Sequence, residues 1–137
     1  MPELPLFAER IAAGFPSPAQ GYMDEPLDLN RLCLGEEAAT FLLRVEGESM
    51  TGAGIFPGDI LVVDRAREAG HGDIVVVAVD GAFTVKELQL SPEPVLLPHN
   101  PRHQPLYLEG REWELFGVAT FSVHALDRRS RARVCPG

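Results

Sequence analysis

The body of the chain is a succession of short apolar runs, rich in Val, Leu, Ile and Phe, punctuated by Gly, Pro and Asp. Runs of this kind predict strands, because β-branched and aromatic side chains suit a pleated surface and the punctuating residues supply turn geometry. The strands expected are TFLLRV at 40–45, DILVVD at 59–64, DIVVVAV at 73–79, AFTVKELQL at 82–90, PVLLP at 94–98, PLYL at 105–108 and WELFGVATFSVHAL at 113–126. Asp80-Gly81 joins the third and fourth as a tight hairpin, since that pair accepts positive φ angles. A short helix is expected in LNRLCL, with Asp28 accepting its free N–H groups and Gly35 providing a left-handed exit. No repeat and no long amphipathic helix is found. The fold class is therefore mainly β: a β-rich domain over 28–127, preceded by an extended arm over 1–27 that contains the Pro- and Gly-rich PSPAQGYMDEP, and followed by a basic tail over 128–137.

Composition narrows the function classes. A chain of 137 residues, 45% hydrophobic, supports one domain with its own core. Its net charge of −8 argues against a general nucleic-acid binder, which would carry a basic face. No apolar run reaches the ~18 to 20 residues of a membrane span, and MPELPLFAERIAAGF lacks the basic start and apolar centre of a secretory signal. A cytoplasmic protein is expected. Cys33 and Cys135 lie far apart with no CxxC spacing, so they read as reduced thiols rather than a disulfide or zinc framework. His99 and His103 have i,i+4 spacing, but the prolines of PHNPRHQP forbid the helix that would align them for a metal. No metal or cofactor is implied. Asp59, Asp64, Asp73 and Asp80 flank strands and turns, where carboxylates accept backbone hydrogen bonds. The tail DRRSRARVCPG is locally basic and open to contact with DNA or an acidic partner, but a disordered, solvated end is the favoured reading.

Two positions carry candidate chemistry. The stretch VEGESMTGAGIFPGDIL, Val45 to Leu61, sets Ser49 among glycines, which reads either as a plain loop hydroxyl or as a nucleophile beside free backbone N–H groups. In FTVKELQL, period-2 alternation places Thr84, Lys86, Leu88 and Leu90 on one face. Either Lys86 snorkels to water along its methylenes, or burial lowers its pKa and frees the amine as a base. A neutral lysine can activate a serine, and Ser49 supplies the hydroxyl.

The segments GFPSPAQGY, LDLNRL, GESM, GDILVVD, HGDIVVVAVDGAFTVKELQL and FGV resemble the LexA/UmuD family of self-cleaving Ser–Lys proteases, on its UmuD side, over roughly residues 12–125. The 37-residue separation of Ser49 and Lys86 fits that family's serine and lysine. The resemblance implies a compact, signal-peptidase-like β-rich catalytic domain with Ser49 as nucleophile and Lys86 as general base. It also implies an oxyanion held by the N–H groups of Glu48 and Ser49, and a cut in the protein's own arm between Ala13 and Gly14. Small residues at AAG suit a narrow cleft, and the Pro-rich segment that follows keeps the arm extended. Alanine stands before the glycine, as in LexA-type repressors, where the best-known UmuD lineage is expected to have cysteine. The partners implied are a second copy in a homodimer, a RecA filament on single-stranded DNA that stimulates cleavage, and a UmuC-like Y-family polymerase. Only 13 residues precede Gly14, too few for a helix-turn-helix reader, so a sequence-specific repressor is not expected. The run WELFGVATFSVHAL is open to two uses, as an interface strand or as one buried within the subunit. The contrasting function is a dimeric interaction module that regulates a polymerase without cutting. A signal peptidase shares the serine–lysine pair and the PGD turn, but lacks support without a membrane anchor.

Overall fold

The computed structural model describes residues 3–7, 10–14, 26–35 and 37–134. Its contacts divide the chain into two units, Met1–Leu34 and Gly35–Gly137. In the first, Leu4 and Leu27 exchange backbone hydrogen bonds of 2.7 Å as an antiparallel bridge. Helix α1 (Leu29–Cys33) follows, capped as expected by Asp28, whose Oδ1 accepts from Asn30 N at 3.0 Å and Arg31 N at 3.5 Å. Its exit differs from the expectation. The helix stops at an extended Leu34, whose N–H bonds Asn30 O; Gly35 takes no positive φ, and what lies against its Cα is the end of the Asp64 side chain. The Pro-rich stretch at 15–25 lies outside the described residues.

The second unit is one antiparallel sheet made of β1 (Thr40–Arg44), β2 (Ile60–Asp64), β3 (Ile74–Val79), β4 (Ala82–Gln89), β5 (Val95–Leu97), β6 (Leu106–Tyr107) and β7 (Trp113–Val123). Their order across the sheet is β1-β2-β7-β3-β4-β5-β6. Every expected strand forms, several of them shorter than the apolar runs suggested. Asp59 and Asp73 fall outside β2 and β3 because their carboxylates close turns, accepting from Phe56 N and Gly70 N at 2.8 Å each. Asp64 and Asp80 likewise accept from Ala66 N and Glu112 N. The β3–β4 hairpin turns through Asp80 (φ 50°) and Gly81 (φ 86°), the left-handed pair that this tight turn requires.

The run 113–126 proves internal to the sheet along Trp113–Val123, hydrogen-bonded to β2 on one side and β3 on the other. Two register shifts, opposite Val62/Val63 and opposite Val76/Val77, bend it. Each face of the sheet carries a core. Val75, Val77 and Val79 point into one with Leu88, Leu96, Leu108 and Val118; Val76 points into the other with Val45, Met50, Ile55, Leu61 and Val63. That division explains why β3 reads IVVVAV without alternation.

The tail is solvated as expected, with no buried residue in 128–134, but it is ordered rather than disordered. Residues Arg128–Val134 form helix α2, started by Asp127 Oδ1 accepting from Ser130 N at 2.7 Å and held at its far end by the Arg44 guanidinium donating to the Val134 carbonyl. Local charge suggested disorder, whereas the Asp cap and helix-favouring Arg and Ala produce an exposed helix. Among the described residues no helix is long and apolar enough to cross a membrane.

Gly117 sits where β7 bends. A Cβ there would lie 2.8 Å from Val63 Cγ1 and 3.0 Å from the Asp64 carbonyl oxygen, both in the adjacent buried strand. Gly117→Ala should lower unfolding free energy by about 1–3 kcal/mol in chemical denaturation, the usual cost of overpacking; an unchanged midpoint would show that β7 has room to shift.

Candidate active site

Ser49 lies in the loop between β1 and β2, and the sequence around it fixes that loop at several points. Gly47, Gly54 and Gly58 take left-handed φ angles of 83°, 82° and 89°. Met50, the neighbour of Ser49, is 2% exposed and anchors the loop in the second core. The buried Asp59 closes the PGD turn and places Oδ1 2.5 Å from His124 Nδ1. Residue 99 holds the turn from outside: His99 N–H donates to Ser49 O at 2.7 Å, and Gly52 N–H donates to His99 O at 2.6 Å. Asn100 Nδ2 donates to Glu48 O at 2.8 Å.

Lys86 reaches this loop from β4. Its Nζ stands 2.9 Å from Ser49 Oγ, 2.7 Å from Thr84 Oγ1 and 3.1 Å from Val85 O. Thr84 is two residues before Lys86 on the same strand, so the pleat puts both side chains on one face. Leu88 shares that face as expected and is buried in the first core, whereas Leu90 lies past the strand and is exposed. Burial lowers the Lys86 pKa from its ordinary value of 10.5 by stripping solvent from the ammonium.

The three contacts serve both forms of the amine: the ammonium donates to all three oxygens, and the neutral form keeps them with one bond reversed. Two N–H bonds can point at Thr84 Oγ1 and Val85 O, which leaves the lone pair for the Ser49 hydroxyl proton. A cleft of about 350 Å³ opens at the pair, with Leu43, Val45, Leu61, Phe83 and Val85 among its apolar walls. Among the described residues the N–H groups of Glu48 and Ser49 donate to no protein acceptor, so they are available to an incoming oxygen. Ala13 and Gly14 lie in the first unit, both exposed in a bend, with nothing within 4 Å of the position of a Gly14 Cβ.

The structure thus brings Ser49 and Lys86 into contact and surrounds them with residues the sequence left unassigned. His99, read as a loop histidine, is in a loop, yet it pairs with Glu87 at 3.0 Å and holds the Ser49 turn. Thr84 was legible from its i,i+2 relation to Lys86. Another sequence signal had gone unused: Lys86 is the chain's single lysine, all eleven other basic side chains being arginine. Arginine stays charged, so Lys86 is the chain's one aliphatic amine side chain that can become neutral, and it stands beside the serine.

Comparison with known proteins identifies the family. The peptidase S24-like family model matches residues 5–120, a span that includes Ala13, Gly14, Ser49 and Lys86. The chain is 52% identical over 120 residues to Protein SamA of Salmonella typhimurium strain LT2, covering 88% of this chain and 84% of SamA. It is 52% identical to Protein ImpA of Escherichia coli (88% and 83% covered) and 45% identical to Protein MucA of Escherichia coli (88% and 84% covered), each over 122 residues. The chain belongs to the peptidase S24-like family, among its UmuD-type members.

Proposed function

We propose that this protein is a UmuD-like SOS-response protein, a serine endopeptidase that cuts its own chain between Ala13 and Gly14. The 2.9 Å contact between Ser49 Oγ and a desolvated Lys86 carries the reading. Neutral Lys86 takes the Ser49 proton as Oγ attacks the Ala13 carbonyl carbon, and the N–H groups of Glu48 and Ser49 stabilise the oxyanion. Collapse breaks the Ala13–Gly14 bond, and Lys86 gives its proton to the departing Gly14 amine. Water, deprotonated by Lys86, then hydrolyses the Ala13 ester and Ser49 recovers its proton. The large product is residues 14–137. The exposure of Ala13 and Gly14 supports a bond open to attack.

By kinship with UmuD-type proteins, the reaction takes place in the cytoplasm and contact with a RecA filament on single-stranded DNA stimulates it. The trimmed homodimer then serves as accessory subunit of an error-prone translesion polymerase of the UmuC-like Y family. A polymerase-regulating module that does not cut is the competing reading, and self-cleavage itself separates the two.

Unstimulated cleavage, followed by intact mass, should accelerate as pH rises through the Lys86 pKa and level off below or near pH 10.5, because only the free amine accepts a proton. Lys86→Arg and Ser49→Ala should each lose about a hundredfold or more, while Cys33→Ser keeps the parent slope. A folded Lys86→Arg that cleaves at the parent rate would remove Lys86 from the chemistry.

Thr84→Val should lower the plateau rate about tenfold by releasing one amine hydrogen bond, with Thr84→Ser near the parent. Equal rates for Val and Ser at this position would show that Thr84 only packs.

A further inference from the structure

Ser49 sits on a loop and Lys86 on a strand, so their contact depends on something that ties the loop to β4. Residue 99 makes that tie. Its backbone accepts from Gly52 and donates to Ser49, spanning the turn on which the serine sits. This close approach requires Gly52, since a Cβ there would stand 2.5 Å from His99 O. The His99 imidazole then turns to β4, where Nε2 lies 3.0 Å from Oε1 of Glu87, the residue next to Lys86. Gln89 Nε2 donates to the other Glu87 oxygen at 2.6 Å. The contacts close a ring that runs from Ser49 Oγ through Lys86, Glu87 and the His99 side chain, and back to the Ser49 carbonyl.

We propose that Glu87 and His99 form a positioning clamp that sets the distance between Ser49 and Lys86, an inference that rests on reading those two as nucleophile and base. Glu87 and Lys86 are adjacent on a strand, so their side chains leave opposite faces. Glu87 therefore ties the β4 backbone beside the base, rather than the Lys86 side chain itself, to the residue that spans the serine's turn. The Gln89 hydrogen bond, and then the His99 hydrogen bond and charge, hold the Glu87 carboxyl below its usual range against the opposing effect of burial, so it stays an acceptor for His99 Nε2–H.

A clamp and an ordinary surface ion pair make different demands. The His99 and Glu87 side chains are 33% and 19% exposed, so the pair is partly covered and its loss removes one edge contact from a fold held mainly by its two apolar cores. Misplacing a reacting group by an ångström, in contrast, costs large factors in rate. Loss of the clamp should therefore slow cleavage far more than it lowers melting temperature.

The test uses the full chain: unstimulated cleavage at Ala13–Gly14 on the pH plateau, melting temperature, and amide hydrogen exchange at Gly52. His99→Ala and Glu87→Ala should each slow cleavage about tenfold or more at nearly unchanged melting temperature. The double variant should be no slower than either single one, because both remove the same link. His99→Gln should recover most of the rate, since its amide nitrogen can donate to Glu87 from a similar place. The Gly52 amide should exchange about tenfold faster in both alanine variants as its bond to His99 O opens more often. Cleavage by His99→Ala within twofold of the parent, losses that multiply in the double variant, or a His99→Gln as slow as His99→Ala would each overturn the clamp. Were the parent uncut, or Ser49→Ala cut like the parent, the assignment of Ser49 and Lys86 would fail instead. Gly52 exchange would then decide the clamp alone: faster in both alanine variants supports it, unchanged in either one rejects it.

Discussion

Everything at the candidate site depends on removing water from one ammonium group. In bulk solvent a lysine holds its proton near pH 10.4, too tightly to serve a serine at neutral pH. Partial burial on β4 weakens that hold, because the charged form loses more solvation than the neutral one. The cost is borne by the fold. An apolar sheet with a core on each face tolerates one poorly solvated lysine because all three of its polar contacts are supplied locally, by Ser49, Thr84 and Val85.

The same constraint accounts for the anchoring of the serine's loop. A general base works only within hydrogen-bond reach of the proton it takes. A loop built from glycines would drift out of that reach. Here Met50 anchors the loop in the core, Asp59 closes its turn, and the backbone of His99 spans it. The glycines allow the turns and the close approach of strands, while the anchors remove the freedom that glycine would otherwise bring.

Much of this was legible because it is local. The strands follow from short apolar runs between turn residues, the hairpin from Asp80-Gly81, and the Asp28 cap from its place before a helical stretch. Lys86 stood out because a period of two set it among leucines. Features decided by distant partners were not legible. Gly35 looked like a left-handed helix exit, but it takes no positive φ and lies instead against the carboxylate of Asp64, far along the chain. Glu87 with His99 and Asp59 with His124 meet only when β4 and β7 fold against their neighbours. Helix α2 was hidden for a different reason: a dense run of arginines suggested disorder more strongly than the single Asp127 cap suggested a helix.

Because Lys86 is the only lysine in the chain, its ionisation can be followed without assignment by labelling lysine with carbon-13 at Cε and titrating the one side-chain signal by NMR. The measurement is best made on Ser49→Ala, which keeps the chain intact and retains the burial that causes the shift. The account predicts a midpoint clearly below 10.5, returning to the ordinary value when the protein is unfolded in denaturant. A midpoint at or above 10.5 in the folded chain would mean that the ammonium is not desolvated, and Lys86 could not then act as a free base near neutral pH.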